Sequence, residues 1–262
     1  TENKQPTEAF DVAGTTDTAV VYGIHALDTV RESGQIAIRQ SGDLTLTVVE
    51  QQGVTRIDQA ELDDRLKGEG VLGFKFYNPK LTLKVQARPI EPRLIVDHAA
   101  VVAFLDDEIR TESTLSYTVD RAGVFQLQFK IPDELIIDLV ESPAMKERNI
   151  DSAAKTLTVS LREKTVGAIQ VVIRGHRPYV AGKAMGELIL PVIEPMGVER
   201  ETGTIQVYAR ESIEVITNEA GLVSAQPVPV AAATRYSDAP INSTWSFTRR
   251  PVTIPVTTVR KP

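Results

Sequence analysis

The chain has 262 residues, 42% apolar and 24% charged, with a net charge of −6 and no cysteine. That apolar content supports folded cores and excludes general disorder. Interspersed charges with an acidic balance argue against a nucleic-acid partner, and the missing thiols exclude disulfides, thiolate metal sites and a cysteine nucleophile.

Residues Thr1 to Ala9 are polar and contain a proline, and read as a frayed lead-in. The opening TENKQPTEAF carries no signal-peptide pattern, and no run approaches the roughly 18 apolar residues of a transmembrane segment. The ending RRPVTIPVTTVRKP stops inside a strand pattern, so a piece of something longer is expected.

AVVYGI, from Ala19 to Ile24, is apolar and β-branched and reads as a strand. After an RESG turn, Ile36 and Ile38 share a face. Beyond a turn at Gln40 to Asp43, Leu44, Leu46 and Val48 alternate with Thr45 and Thr47, the period of a strand with one buried face. Ile57 to Lys67 is the best helix candidate: Asp58 can cap it, Glu61 follows three residues on, and Leu62 and Leu66 share a face. Gly68 and Gly70 would end it. Phe74 and Phe76, then Leu81, Leu83, Val85 and Ala87, predict two strands joined at Asn78-Pro79.

Much of this segment recurs. VRESGQIAIRQSGDLTL, starting at Val30, resembles VERETGTIQVYARESIEV, starting at Val198. Gly34 and Gly203 stand 169 positions apart, and Arg31/Arg200, Glu32/Glu201, Ile36/Ile205 and Leu44/Ile213 keep that offset. Upstream, VAG occurs at Val12 to Gly14 and at Val180 to Gly182. Trp245 and Phe247 take the places of Phe74 and Phe76, followed by Val252, Ile254 and Val256, with Arg250-Pro251 as the turn. Both repeated glycines are expected at turns with positive φ. The stretch from Gln226 to Ser243 reads as loop.

Between the copies, Leu115, Tyr117 and Val119 lie on one face, DRAG from Asp120 to Gly123 reads as a hairpin turn, and Phe125, Leu127, Phe129 and Ile131 alternate with Gln126, Gln128 and Lys130. RLIVDHAAVVAFL, ELIIDLV, KTLTVSL and VGAIQVVIRG add further short strands, with a turn or bulge at Asp151 to Lys155. The expectation is an all-β chain with few or no long helices. An immunoglobulin-like β-sandwich at 91–178 is flanked by two copies of a β-rich unit, at 1–90 and 179–262. The units can stack as an array, or the outer two can pair and enclose the middle one.

No cofactor motif is present, and no nucleophile elbow, phosphate loop or dinucleotide fingerprint marks an enzyme. His25, His98 and His176 lack metal-ligand spacing, and the counterpart of His25 is Glu194. Asp97 and His98 are strand neighbours pointing to opposite faces, so they cannot pair, and both are expected as solvated strand or loop residues. Asp106, Asp107 and Glu108 form an acidic run suited to a solvated turn, with a Ca²⁺ site as rival; Asp63-Asp64 belongs to an exposed face. Trp245 and Phe247 are expected in the core, with Tyr179 and Tyr208 in the same copy. Tyr236 is then the candidate ligand-binding residue for a carbohydrate. Asn242-Ser243-Thr244 is a formal glycosylation sequon. The expected function is a non-catalytic structural or adhesive module of a larger bacterial envelope or extracellular protein. It would meet a protein partner, or itself, through exposed strand edges. A carbohydrate-binding module and a hydrolase fragment are the rivals.

Overall fold

The computed structural model describes residues 18–21, 32–40, 42, 44–78, 80–178, 187–230 and 235–261. The lead-in, both VAG segments, His25 and Tyr179 lie outside them. Among the described residues the regular structure is all β, apart from two 3-10 turns at Gln59–Glu61 and Glu219–Gly221. Among the described residues no helix is long and apolar enough to cross a membrane. The chain divides into two compact units, residues 1–91 and 92–262.

The first unit contains β1 (Thr18–Val21), β2 (Gly34–Arg39), β3 (Leu44–Gln52), β4 (Val54–Ile57), β5 (Val71–Phe76) and β6 (Thr82–Pro89). They form two antiparallel sheets ordered β1-β6-β3 and β2-β5-β4. Val54 on β4, Phe74 and Phe76 on β5 and Leu83 on β6 are buried, and Ile36, Ile38, Val48 and Leu72 pack against them. In β2, Gly34 pairs with Phe76 and Ile36 with Phe74.

The expected helix at 57–67 is replaced by one 3-10 turn. Asp58 does cap it, accepting from Ala60 N at 2.9 Å. Side chains then capture the backbone that would have continued a helix: the Asp63 carboxylate accepts from Arg65 N, and Gln35 on β2 accepts from Asp63 N at 2.8 Å. Such local bonds compete with helical ones. Leu62 is buried instead against Gly73, whose missing Cβ leaves it room.

The second unit contains β7 (Arg93–Phe104), β8 (Glu108–Lys130), β9 (Ile136–Glu141), β10 (Met145–Asp151), β11 (Thr156–Pro178), β12 (Glu187–Ile189), β13 (Glu194–Pro195), β14 (Arg200–Ala209), β15 (Ile213–Thr217), β16 (Ala225–Pro227), β17 (Arg235–Tyr236), β18 (Ala239–Phe247) and β19 (Pro255–Arg260). One large sheet runs β10-β11-β8-β7-β14-β18-β16, with β9 on β11, β13 on β8 and β17 on β18. A small sheet, β12-β19-β15, completes the unit. Part of the expected loop at 226–243 is therefore strand, in β16, β17 and the start of β18.

The DRAG segment is not a hairpin turn. β8 passes through it as one 23-residue strand, and both halves pair with the equally long β11. Arg121 takes φ 67° and Gly167 φ 94°, and the β8–β11 register shifts twice between Ser160 and Gly167. Bulges of this kind bend a strand without ending its ladder. The bend is sharp. Tyr117 and Phe129 would lie about 40 Å apart on a straight strand, yet their rings meet edge to face with centroids 6.2 Å apart. Alternation also shifts at the bend: Val124 is buried and Phe125 is 62% exposed beneath Lys164, the reverse of the expected pattern. The strands thus fold over themselves and enclose Leu115, Tyr117, Val119, Leu127, Phe129, Leu157, Val159, Val171 and Ile173 in one core. At Asp151 to Lys155 the expected turn forms, with Asp151 accepting from Ala153 N and Ala154 N.

A second core lies between the β7-β14-β18 part of the large sheet and the small sheet, and holds Val102, Phe104, Ile205, Val207, Ile213, Trp245, Phe247 and Ile254. Gly203 sits mid-strand in β14, not in a turn, and neither it nor Gly34 has a positive φ. Close approach is the physical reason for glycine. Gly203 faces His98 in the parallel β7–β14 ladder and Phe247 on β18. A Cβ there would stand 2.1 Å from the His98 carbonyl oxygen, whereas at Gly34 it would meet the Phe76 ring at 2.6 Å. Backbone cannot yield as a ring can. Gly203→Ala should therefore cost about 3 kcal/mol, the upper end of ordinary overpacking, and Gly34→Ala clearly less. Urea unfolding of the two variants checks the order, and equal losses would contradict it.

Candidate functional site

Even-numbered residues of β7 point to one side. Leu94 and Val96 enter the first core, and Ala100, Val102 and Phe104 enter the second. His98 lies between them on the same face, at the boundary of the two cores, and is fully buried. This corrects the expectation of a solvated residue; the neighbouring Asp97 is exposed on the opposite face. The apolar alternation Leu94, Val96, Ala100, Val102 was the signal, since it demands an inward position 98.

A buried histidine needs a polar partner, and β14 supplies one. Glu201 is 3% exposed, and its Oε1 lies 2.9 Å from His98 Nδ1. Arg250, after β18, completes a fork: Nε donates to Glu201 Oε2 at 2.6 Å and Nη2 to Oε1 at 2.7 Å. Nη2 also donates to the Ile193 carbonyl at 3.1 Å. The Phe247 ring lies beneath the guanidinium at 5.3 Å and meets the His98 ring edge-on. Three segments far apart in sequence thus converge on one carboxylate.

Burial acts to raise the pKa of Glu201. The Arg250 and His98 hydrogen bonds and charges overcome it and hold the group below its ordinary value of 4.5. His98 Nε2 and the nearby Tyr117 hydroxyl are buried without a hydrogen-bond partner among the described residues. Burial, with the Glu201 charge adding to it, pushes the Tyr117 phenol far up, so it stays protonated. Chemically the cluster is a charge-assisted lock, with Glu201 and His98 buried and the Arg250 side chain 18% exposed. Two surface depressions are notable among the described residues, and the larger one borders the lock at Phe247. One, about 370 Å³, is lined by Ser224, Gln226, Ser246, Phe247, Thr248 and Arg249; the other, about 190 Å³, by Arg210, Asn242 and Lys261.

The other singled-out residues do not gather into one site. Tyr236 is half-buried on the short β17–β18 hairpin, its ring 6.0 Å from that of Tyr208 at a 46° tilt. Trp245 and Phe247 are core residues, and Asn242 is exposed on β18. Asp106 and Asp107 form the tight β7–β8 turn, closed by Leu105 N donating to Glu108 O, and Asp106 accepts from Arg210 at 2.7 Å. Asp63 is paired with Arg65 and Asp64 with Lys67. His176 Nδ1 lies 2.9 Å from Asp138. Among the described residues no group of three or more His, Asp or Glu side chains is arranged to hold a metal ion.

Removing Arg250 alone strands a buried carboxylate, so Arg250→Ala should cost about 3–5 kcal/mol, while replacing Glu201 and Arg250 together with apolar residues should cost less. Denaturant titration measures both; a loss below 1 kcal/mol for the single variant would show the lock to be idle. Glu201 also sets a pH dependence. Its folded pKa is depressed, so its contribution is complete above 4.5 and is lost as pH falls through the lower folded value. Below pH 4.5 the stability of the wild type should therefore fall more steeply than that of Glu201→Gln, as unfolding curves between pH 3 and 7 would report.

No protein-family model matches this chain, and no curated protein matches it significantly.

Proposed function

We propose that this chain is a non-catalytic structural module, an immunoglobulin-like β-sandwich set between two copies of a β-rich unit, belonging to a larger envelope or extracellular protein. The observation that carries the reading is the ten-residue parallel ladder between β7 and β14. One face of β7 feeds two cores, so adjoining sandwiches share a continuous sheet where a flexible linker would otherwise run. A junction of that kind resists bending, which suits a spacer or stalk.

The sheet registers support the copies. Gly34 opposes Phe76 and Ile36 opposes Phe74; Gly203 opposes Phe247 and Ile205 opposes Trp245. Sheet β1-β6-β3 has the same strand order as β12-β19-β15, and β2-β5-β4 the same as β14-β18-β16. The folded-over β8–β11 pair supports the sandwich between them. The enclosed polar lock favours a mechanical role over a chemical one.

Mechanical unfolding provides the test. With the chain held at residues 92 and 261, the second unit should rupture as one cooperative event; two separated events would remove the welded-junction reading. The carbohydrate rival is tested by titrating oligosaccharides against thermal stability. A saturable upward shift that Tyr236→Ala abolishes would replace the structural reading with a binding one.

A further inference from the structure

We infer that the outer edge of β2 is a docking site for one more parallel strand of the β7 kind, carried by a neighbouring β module; the inference rests on the reading of β2 and β14 as copies. β14 has a strand on each side, β18 antiparallel and β7 parallel. β2 has β5 on one side in the register that β18 keeps with β14, and no strand among the described residues on the other.

Burial differs accordingly. Ile205 and Val207 on β14 are each 1% exposed, with Ala100 and Val102 of β7 in the same core. Their counterparts Ile36 and Ile38 are only half-buried. A strand along β2 with apolar side chains at alternate positions would complete that core as β7 completes the other. The glycines agree. Gly203 lets the His98 carbonyl approach to where a Cβ would be, while at Gly34 the three nearest atoms all belong to the Phe76 ring, leaving the incoming side to a partner.

Among the described residues the edge is also unguarded. Natural sheet edges are blunted by charge or proline. β10 carries Lys146, Glu147, Arg148 and Asp151, and β16 ends in Pro227. β2, GQIAIR, has no proline and no charge before Arg39. A second copy of this chain cannot donate its own β7, because β8 and β14 already hold both edges of that strand. The occupant is therefore a strand of another module with the β7 pattern, apolar on alternate residues and small near its centre. It runs parallel to β2 with its position 98 equivalent opposite Gly34, a form of strand addition.

The test adds a synthetic peptide of Arg93–Phe104, with lysines appended for solubility, to the intact chain and follows amide hydrogen exchange. Alternate amides of β2 should slow saturably, by about tenfold or more, while those of β14 stay unchanged. The same peptide with A100K and V102K should protect nothing. The inference is overturned if β2 never responds at millimolar peptide, or if the reversed sequence protects equally. It also fails if β2 in the free chain is already as slow as β14, or if protection tracks chain concentration without peptide, which would make a second copy the occupant. β14 separates the two readings. Fast exchange along β14 itself would remove the copy reading, whereas a protected β14 beside an unresponsive β2 removes the docking inference alone.

Discussion

The buried carboxylate of Glu201 is the constraint on which residues 92–262 depend. A charge removed from water is costly unless it is paired and hydrogen-bonded, and here both oxygens are occupied by Arg250, with His98 on one of them. Those partners come from β7 and from the segment after β18, so satisfying one group places three stretches of chain at once. It also fixes the β7 register. A slip of one residue would turn Asp97 inward and His98 outward, leaving Glu201 without its imidazole and the core with a second carboxylate. The lock sits where the two cores meet, which is where an error of register would damage both.

The long strands meet a different requirement. Two straight 23-residue strands would form a ribbon with no interior. Arg121, Gly167 and the bulges near Thr165 bend both at the same level, and each strand then contributes to two layers. That geometry brings Tyr117 onto Phe129. It also lets β7 continue past the first core into the second, where β14 can join it in parallel.

Strands were readable from local pattern because their period is two and their faces differ. Leu44 to Val48, Thr82 to Ala87 and Leu94 to Val102 declare their inward sides without reference to anything distant. The helix at 57–67 misled for an equally local reason. Asp58, Glu61, Leu62 and Leu66 satisfy helical spacing, but Asp63 and a distant residue, Gln35, took the backbone donors. DRAG carries turn residues, yet whether a strand turns back on itself or bends depends on what pairs with each half, and here β11 pairs with both.

By itself the sequence determined the β character, the positions of most strands, and which side chains face inward, because alternation of polarity is a one-dimensional signal. Only the tertiary structure decided that Gly203 serves a close strand crossing instead of a turn, that His98 is buried, and that Glu201, His98 and Arg250 form one lock. These depend on contacts between residues far apart in sequence, such as the 103 positions from His98 to Glu201. No local spacing encodes them; pairing partners and packed layers are settled only when the whole chain closes on its cores.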